Sequence, residues 1–318
     1  MKARMCIIGI GNIGRRHLEA ALECSGLRDI YCVDPVQDIP TEIIDAGRRS
    51  GKNIELEREI SHLPGRIDVA IVATSSAVRK KAVEELLEHC EINHLILEKV
   101  LFQKAEDYSD IQQLLNEHGV RAWVNCIRRA HEPWKEIKER LNEYDGFSIN
   151  VYGGNWNFAC NLVHMLDLVD YLDGTDSLKI EESDILPIVI DSKRTGYKEI
   201  FGSIRGKCDR CSRFVISCFQ QPLPYVIEIH TDDFVIYVQE MDEKITTVTN
   251  HGKNETETVF PNVLVSQTTS TVINQLLDSG VCSLATYEKS MNLHIQMIDC
   301  FMPFFETKGY EKGVCPIT

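Results

Sequence analysis

Close to its start the chain carries glycines whose spacing is typical of a nucleotide-binding turn. Gly9, Gly11 and Gly14 follow an apolar run and precede residues that recur at helical spacing, which predicts a strand, a turn and a helix in that order. Such a turn lets the backbone approach a pyrophosphate, and the helix N-terminus offers N–H groups to the phosphates. The motif predicts a dinucleotide site whose contacts come from five residues: Gly9, Gly11, Asn12, Ile13 and Gly14.

An acidic residue ends the next predicted strand. Asp34 follows the apolar run 30–33 and lies about 20 residues beyond the last glycine, where a carboxylate binds the ribose 2′-hydroxyl. Because Asp34 would repel a 2′-phosphate, NAD is the expected cofactor and NADP is disfavoured. Two alternatives stay open: the turn could be purely structural, and Arg15 and Arg16 could either contact phosphate or form a solvated helix face.

The elements that position these residues alternate between strand and helix. Apolar runs predict strands at 69–74, 94–97 and 121–126, and helical spacing predicts helices at 41–49, 78–87 and 105–118. This alternation predicts a parallel sheet with helices on both faces, an α/β Rossmann domain over residues 1–126.

The periodicity changes in the second part of the chain. A helix is predicted at 133–141, an alternating strand at 147–152, and a helix at 161–172. Further strands follow at 185–190, 201–205, 213–219, 225–231, 234–239, 244–249 and 257–259, and a last helix at 286–301 should end before Pro303. Residues 127–318 are therefore predicted to form an α+β domain with an open, mainly antiparallel sheet.

Composition narrows the class of protein. The chain has 318 residues, 43% of them apolar, and no apolar run reaches the roughly 18 residues of a membrane span, so a cytoplasmic protein with no membrane association is expected. A formal charge of −14 argues against nucleic-acid binding. Among 12 cysteines, expected to be reduced, Cys208-x-x-Cys211 is the one close pair, and without further ligands no metal site is expected.

Four sequence pieces occur in an order that characterises one family. They are Gly9-x-Gly11-x-x-Gly14-x-x-His17, Val72-Ala73-Thr74, Glu98-Lys99, and Gly153-Gly154 followed by His164-x-x-Asp167. In this set, and across nearly its full length, the chain resembles the glucose-fructose oxidoreductase and inositol dehydrogenase family (Gfo/Idh/MocA). The resemblance implies hydride transfer between a nicotinamide and a hydroxyl-bearing carbon, usually of a sugar, a polyol or a sugar derivative. It also implies that residues 127–318 bind the substrate and form oligomers, here a homodimer or homotetramer, through the C-terminal sheet.

The resemblance assigns roles to individual residues. Ala73, Thr74, Ser75, Glu98 and Lys99 are expected to contact the cofactor, and Lys99 and His164 are the catalytic candidates because both can hold or relay a proton near the nicotinamide. The expected substrate residues are Trp156, Asn157, Asn161, His164 and Arg128. Three of these residues also have a structural interpretation. Lys99 could lie at the surface, His164 could be a core histidine, and Trp156 could be a core residue rather than a stacking platform.

Four positions depart from the family pattern, and the first is Ser75, which replaces a proline. Val100 stands where many members have a cis proline, so the Lys99–Val100 bond is either trans or held cis by its surroundings. Cys160 replaces an aspartate that precedes the histidine, and Asn161 beside it cannot act as a base. Arg79 replaces a histidine, and it could contact an acidic substrate group or face solvent.

Two other functions remain compatible with these residues. Because Val100 and Cys160 alter the catalytic neighbourhood, the chain could be a dinucleotide-binding regulator without turnover. The same cofactor site would also permit reduction of an unsaturated or imine bond. The variants Glu98-Lys99-Val100 and Asn155-Trp156…Asn161…His164 resemble the family branch met in bacterial surface-polysaccharide and acidic-sugar pathways, which favours a sugar or nucleotide-sugar substrate.

Overall fold

The computed structural model describes residues 2–249, 252–261 and 265–318. The described residues of Met1–Ala130, Val263–Met291 and Thr318 form one compact unit, and those of His131–Asn262 and Asn292–Ile317 form a second. Within the described residues no helix combines the length and the apolar character needed to cross a bilayer.

The first 130 residues alternate between strand and helix. The strands are β1 (Ala3–Ile8), β2 (Leu27–Val33), β3 (Asn53–Glu57), β4 (Arg66–Val72), β5 (Glu91–Leu97) and β6 (Arg121–Val124). The helices are α1 (Asn12–Leu22), α2 (Thr41–Arg49), α3 (Ser76–His89) and α4 (Ala105–His118). The segment closes with a short 3₁₀ turn, Ile127–Ala130.

The remaining elements comprise a long run of strands and four helices within the described part of the chain. Helix α5 (Glu132–Leu141), strand β7 (Phe147–Gly154) and helix α6 (Phe158–Asp173) come first. Strands β8 (Lys179–Asp191), β9 (Lys198–Lys207), β10 (Cys211–Phe219), β11 (Leu223–His230), β12 (Phe234–Gln239), β13 (Lys244–Thr249) and β14 (Asn254–Val259) follow. The chain ends with α7 (Val265–Ser279), β15 (Ala285–Thr286) and α8 (Tyr287–Thr307).

The sheet of the first unit runs in the order β15-β6-β5-β4-β1-β2-β3 among the described residues. Strands β1 to β6 are parallel and β15 is antiparallel to β6. The strand order reverses between β1 and β4, and in parallel α/β sheets ligands bind at the carboxyl ends of the strands at such a reversal. The glycine turn follows β1 and Asp34 follows β2, so both lie at that edge.

The second unit contains the other sheet, in the order β14-β13-β12-β11-β7-β10-β9-β8. Neighbouring strands are antiparallel except β7 and β10, which are parallel. Inward side chains alternate along the strands, for example Ile149 and Val151 on β7, and α6 packs on β9 and β10. The predicted fold class, a Rossmann domain followed by an α+β domain with a mainly antiparallel sheet, is confirmed.

Two differences from the sequence expectations have clear physical causes. Helix α7 was not predicted, and it packs on α1 with Val272, Ile273 and Leu276 buried in the core of the first unit, so that unit contains a segment from late in the chain. The prediction that the last helix ends before Pro303 is wrong, because α8 continues through it and buries Phe305 as fully as Phe301. The prediction that residue 126 separates an NAD-binding domain from a substrate-binding domain stays a prediction.

Candidate functional site

The glycine turn is tight on one side and open on the other. Gly9 has a φ of 91°, and a Cβ atom on Gly14 would lie 1.9 Å from the carbonyl oxygen of Gly9. A Cβ atom on Gly11 would have no described neighbour within 4 Å. Helix α1 begins at Asn12, with Gly11 as its N-cap. The turn therefore leaves an open cradle at Gly11, beside a helix N-terminus, where a pyrophosphate fits.

Asp34 is fixed in place by backbone groups. Its Oδ2 accepts a hydrogen bond from the Ile10 N–H at 2.8 Å, and its Oδ1 accepts hydrogen bonds from the N–H groups of Val36 at 2.9 Å and Gln37 at 2.7 Å. A carboxylate oxygen can accept about two hydrogen bonds, so Oδ2 can accept one more. The donor set and the open cradle fit NAD, with Oδ2 available to a ribose hydroxyl.

The turn after β4 is held by a buried cation. Arg79 is 1% exposed, and its guanidinium donates to the carbonyl oxygens of Thr74 and Val100 and, at 2.9 Å, to that of Leu101. The guanidinium thereby ties the segment Ala73–Ser75 to the segment after Lys99. Neither interpretation of Arg79 from the sequence, a solvent-facing cation or an acidic-group contact, matches this burial.

Glu98 belongs to a buried polar cluster, which also contains His17, Asn125 and Thr269. Its Oε1 lies 2.8 Å from His17 Nε2 and accepts a hydrogen bond from Asn125 Nδ2 at 2.5 Å. His17 Nδ1 lies 3.1 Å from Thr269 Oγ1. Burial alone would raise the pKa of Glu98, but the hydrogen bond and charge of His17, followed by Asn125 and Lys99, lower it. Glu98 is thus a buried anion, and its contact with the cofactor stays a prediction.

Asn125 and Thr269 were not identified from the sequence. Asn125 follows β6, the next strand at the same carboxyl edge, and that position is the only local signal it offers. Thr269 is separated from His17 by 252 residues and gives no local signal.

Lys99 lies two residues beyond the end of β5 and is half-buried. The Lys99–Val100 peptide bond is cis. Arg128, also half-buried, lies in the 3₁₀ turn Ile127–Ala130 of the same unit. Lys99 is therefore the residue after Glu98, the anion that His17 and Asn125 contact at the carboxyl edge of the sheet.

In the second unit the candidate residues surround the start of α6. Asn155 and Asn157 have φ values of 52° and 61°, in the left-handed region. Trp156 is 8% exposed, its indole N–H donates to the Ser217 carbonyl oxygen at 3.2 Å, and its ring packs against Phe158. This burial favours the core interpretation of Trp156 over that of a stacking platform.

Asn161 and His164 lie on α6, three residues apart, and both are half-buried. Asn161 Nδ2 donates to the Trp156 carbonyl oxygen at 2.9 Å, so its amide holds the preceding turn. Glu199, a residue missed from the sequence, is 3% exposed and accepts the Ala159 N–H at 2.9 Å, at the positive end of α6. The catalytic role of His164 stays a prediction.

The cysteine pair lies at the turn between β9 and β10. Cys208 and Cys211 are both buried, and the Cys208 N–H donates to the Cys211 carbonyl oxygen at 2.8 Å. A hydrogen bond with Cys211, burial and nearby negative charge raise the pKa of the Cys208 thiol, which opposes the thiolate that zinc requires. Within the described residues no group of three or more His, Cys, Asp or Glu could hold a metal ion.

Residues 3–126 match the family model GFO_IDH_MocA, described as an oxidoreductase family with an NAD-binding Rossmann fold. No curated protein sequence matches the chain. This match covers the glycine turn, Asp34, the segment Ala73–Ser75 and Lys99.

Solved structures match over nearly the whole chain. UDP-N-acetylglucosamine 3-dehydrogenase GnnA from Acidithiobacillus ferrooxidans is 11% identical with a TM-score of 0.69, covering 94% of this chain and 97% of its own. An oxidoreductase from Agrobacterium radiobacter in complex with NAD+, L-tartaric acid and magnesium is 13% identical with a TM-score of 0.69, covering 93% and 94%. A super-repressor mutant of Gal80p from Saccharomyces cerevisiae is 16% identical with a TM-score of 0.74, covering 96% and 97%. At these identities the likeness shows the fold.

Proposed function

We propose that the chain, whose residues 3–126 match the Gfo/Idh/MocA oxidoreductase family model, transfers a hydride between NAD and a hydroxyl-bearing carbon of a sugar or sugar derivative. The observation that carries the proposal is the carboxyl edge of the first sheet, where the open glycine cradle, the fixed Asp34 carboxylate and Lys99 follow parallel strands. Bound NAD would supply the hydride acceptor. The substrate hydroxyl would lose its proton as its carbon loses the hydride, which leaves a carbonyl.

The chain's own residues would handle that proton. Lys99, next to the buried Glu98 anion, and His164, on α6, are the proposed carriers, because an amine and an imidazole can each accept and return a proton. Asn157, Asn161 and Arg128 are the proposed substrate contacts, since amides and guanidinium groups bind hydroxyl and anionic groups. The buried Trp156 would hold the start of α6 by packing against Phe158.

Solved structures of similar fold support a sugar as the class of substrate. GnnA acts, by its name, on a nucleotide sugar, and the fold match covers 94% of the present chain. We therefore propose a sugar substrate, free, acidic or nucleotide-linked, of the kind used in polysaccharide biosynthesis, in a cytoplasmic enzyme.

We also propose assembly through the second sheet as a homodimer or homotetramer. Apolar side chains on its strands, including Phe219 and Leu223, are about half exposed. Light scattering of the purified chain tests this directly: a mass of two or four chains is expected, and a monomer contradicts it.

The experiment for the reaction is a substrate panel. The purified chain and NAD would be incubated with sugars, uronic acids and nucleotide sugars, and both NADH absorbance and product mass would be followed. We expect one class to yield NADH and a product lighter by two hydrogens. Lys99→Met should lower turnover about 10²–10⁴-fold, the range for loss of a general acid or base, with unchanged NADH binding.

The matched control is Lys104→Met, which removes a lysine whose Nζ is 4.0 Å from Glu106 near the start of α4, outside the proposed site. Its turnover should equal that of the wild type. Equal loss in both variants, or full activity of Lys99→Met, would contradict the proposed role of Lys99.

A regulator that binds NAD without turnover is the second candidate. It is favoured by the fold match to a repressor mutant, Gal80p, with a TM-score of 0.74, and by Cys160 at the position of the family's aspartate. Tight NADH binding with no redox change across the whole panel would favour the regulator over the enzyme.

A further inference from the structure

Two arginines hold the loop that follows β2, defined here as the ribose loop, Asp34–Asp38. Arg58 donates through Nη1 to the carbonyl oxygens of Asp34 and Gln37, both at 3.0 Å, and its Nη2 lies 2.5 Å from Asp38 Oδ1. Arg15, from α1, donates through Nη2 to Gln37 Oε1 at 3.4 Å and to the Asp38 carbonyl oxygen at 3.2 Å. Two cations from separate elements therefore converge on the loop that carries the ribose-binding carboxylate.

Two carboxylates balance these cations. Asp34 is buried and fixed by three N–H groups, whereas the Asp38 side chain is 78% exposed and that of its partner Arg58 is 47% exposed. An exposed ion pair contributes little net stability, so Arg58 can leave Asp38 at small cost. The bonds of Arg15 are long, so this guanidinium can also change partner at small cost.

A 2′-phosphate is the ligand that such a pair of guanidinium groups would take. Arginine binds phosphate oxygens through two parallel N–H donors, and an arginine beside the ribose is the usual means of accepting NADP. In this chain the arginines are present, but the Asp34 carboxylate would repel the phosphate and Asp38 competes for Arg58.

We propose that Arg15 and Arg58 form a 2′-phosphate site that Asp34 and Asp38 keep closed, so that the preference for NAD is set by two carboxylates and not by a lack of cations. The inference rests on the cofactor site of the proposed function and does not require the sugar reaction. Removing the two negative charges while leaving the loop in place should open the site to NADPH.

The test measures dissociation constants of NADH and NADPH from nucleotide fluorescence, with no substrate present. Wild type should bind NADH at least about tenfold more tightly than NADPH, because an anion beside a phosphate costs a charge-assisted contact and adds repulsion. Asp34→Asn keeps one acceptor oxygen, and it should reduce the ratio of the NADPH dissociation constant to the NADH dissociation constant. Asp34→Asn with Asp38→Asn should invert the preference between NADH and NADPH. Adding Arg58→Met should remove at least about tenfold of the NADPH affinity gained, a larger loss than it causes for NADH.

The matched control is Asp45→Asn on α2, which removes the same charge from an ion pair with Arg48 outside the loop. It should leave both affinities unchanged. Asp38→Asn alone replaces an exposed side chain and should raise NADPH affinity a few-fold, which keeps the proposal testable if the Asp34 variants fold poorly.

Different results would overturn different claims. No gain in NADPH affinity in the double variant, or a gain that survives loss of both Arg15 and Arg58, would overturn the closed-site proposal while the NAD site stands. Failure of the wild type to bind NADH would overturn the cofactor site and this proposal together.

Discussion

The carboxyl edge of the first sheet and the segment Gly153–His164 of the second unit both carry candidate site residues, but they hold them by different means. At the first, charged side chains are fixed by backbone groups of other elements, as Asp34 is by Ile10 and Arg79 is by Leu101. In the second, side chains hold the backbone that carries them, as Asn161 does for Trp156. The first region is therefore set by tertiary contacts around buried charge, whereas the second combines a local turn with contacts from β9 and β10 through Glu199 and Ser217.

Gly14→Ala should give the largest effect on the first region. A Cβ atom there would lie 1.9 Å from the Gly9 carbonyl oxygen, so the turn and α1 must move apart. We expect a loss of about 3 kcal/mol in the free energy of unfolding, from overpacking against backbone, and loss of NADH binding. Denaturant unfolding and NADH titration measure both.

Gly11→Ala and Gly65→Ala are the matched variants, since neither added Cβ would have a described neighbour within 4 Å. Both should fold like wild type, within about 0.5 kcal/mol. Only Gly11→Ala should weaken NADH binding, because its Cβ would enter the cradle. Equal NADH affinity in these two variants would contradict the location of the pyrophosphate.

Arg79→Met tests whether the buried cation holds the Lys99 segment. The variant leaves carbonyl groups of Thr74, Val100 and Leu101 without their charged donor, and we expect it to lose about 3 kcal/mol of unfolding free energy. Lys80→Met, next in sequence, breaks partly exposed ion pairs with Asp107 and Asp110 and should cost about 1 kcal/mol or less. Similar losses in the two variants would mean that Arg79 is not a specific brace.

Glu98→Gln should lose stability in a pH-dependent way. Because the pKa of Glu98 is lowered in the folded chain from its usual 4.5, its carboxylate stabilises the fold above about pH 4.5, and this contribution is lost as the pH falls further. The wild type should exceed the variant by about 1–2 kcal/mol at neutral pH, with the difference shrinking in acid. Urea unfolding from pH 7 to pH 3.5 measures it, and a constant difference over that range would show that the charge is not involved.

Asn157→Ala should give the smallest loss of stability, and it tests whether backbone conformation holds the turn of the second region. With a φ of 61°, Asn157 occupies the left-handed region, where alanine costs about 1 kcal/mol and glycine costs little. Asn157→Gly should therefore be more stable than Asn157→Ala in thermal unfolding. The reverse order would indicate that the asparagine side chain, and not its backbone conformation, stabilises the turn.

The predictable parts of this molecule are those whose signal is local. The glycine spacing specifies a backbone shape, and Asp34 follows from it by chain distance, so the cofactor type was accessible from the sequence. Apolar runs of strand length likewise predicted strands of both sheets. The His17–Thr269 contact spans 252 residues, and no local pattern could pair them.

Arg79 and Pro303 show how packing overrides local expectation. A charged residue on a helix is ordinarily exposed, yet Arg79 is buried because carbonyl groups of two turns surround its guanidinium. Proline ordinarily ends a helix, yet α8 continues because Phe305 beyond it is buried in the second unit. In both cases the compensating contacts come from elsewhere in the chain.

The most direct test of the central claim follows the hydride itself. A sugar that is active in the panel would be labelled with deuterium on the carbon that bears the reacting hydroxyl and incubated with NAD and the wild-type chain. The account predicts NADH that carries the deuterium and a carbonyl product that lacks it, with Lys99→Met forming neither at a comparable rate. A carbonyl product that retains the label, or NADH formed without deuterium, would contradict hydride transfer from a hydroxyl-bearing carbon.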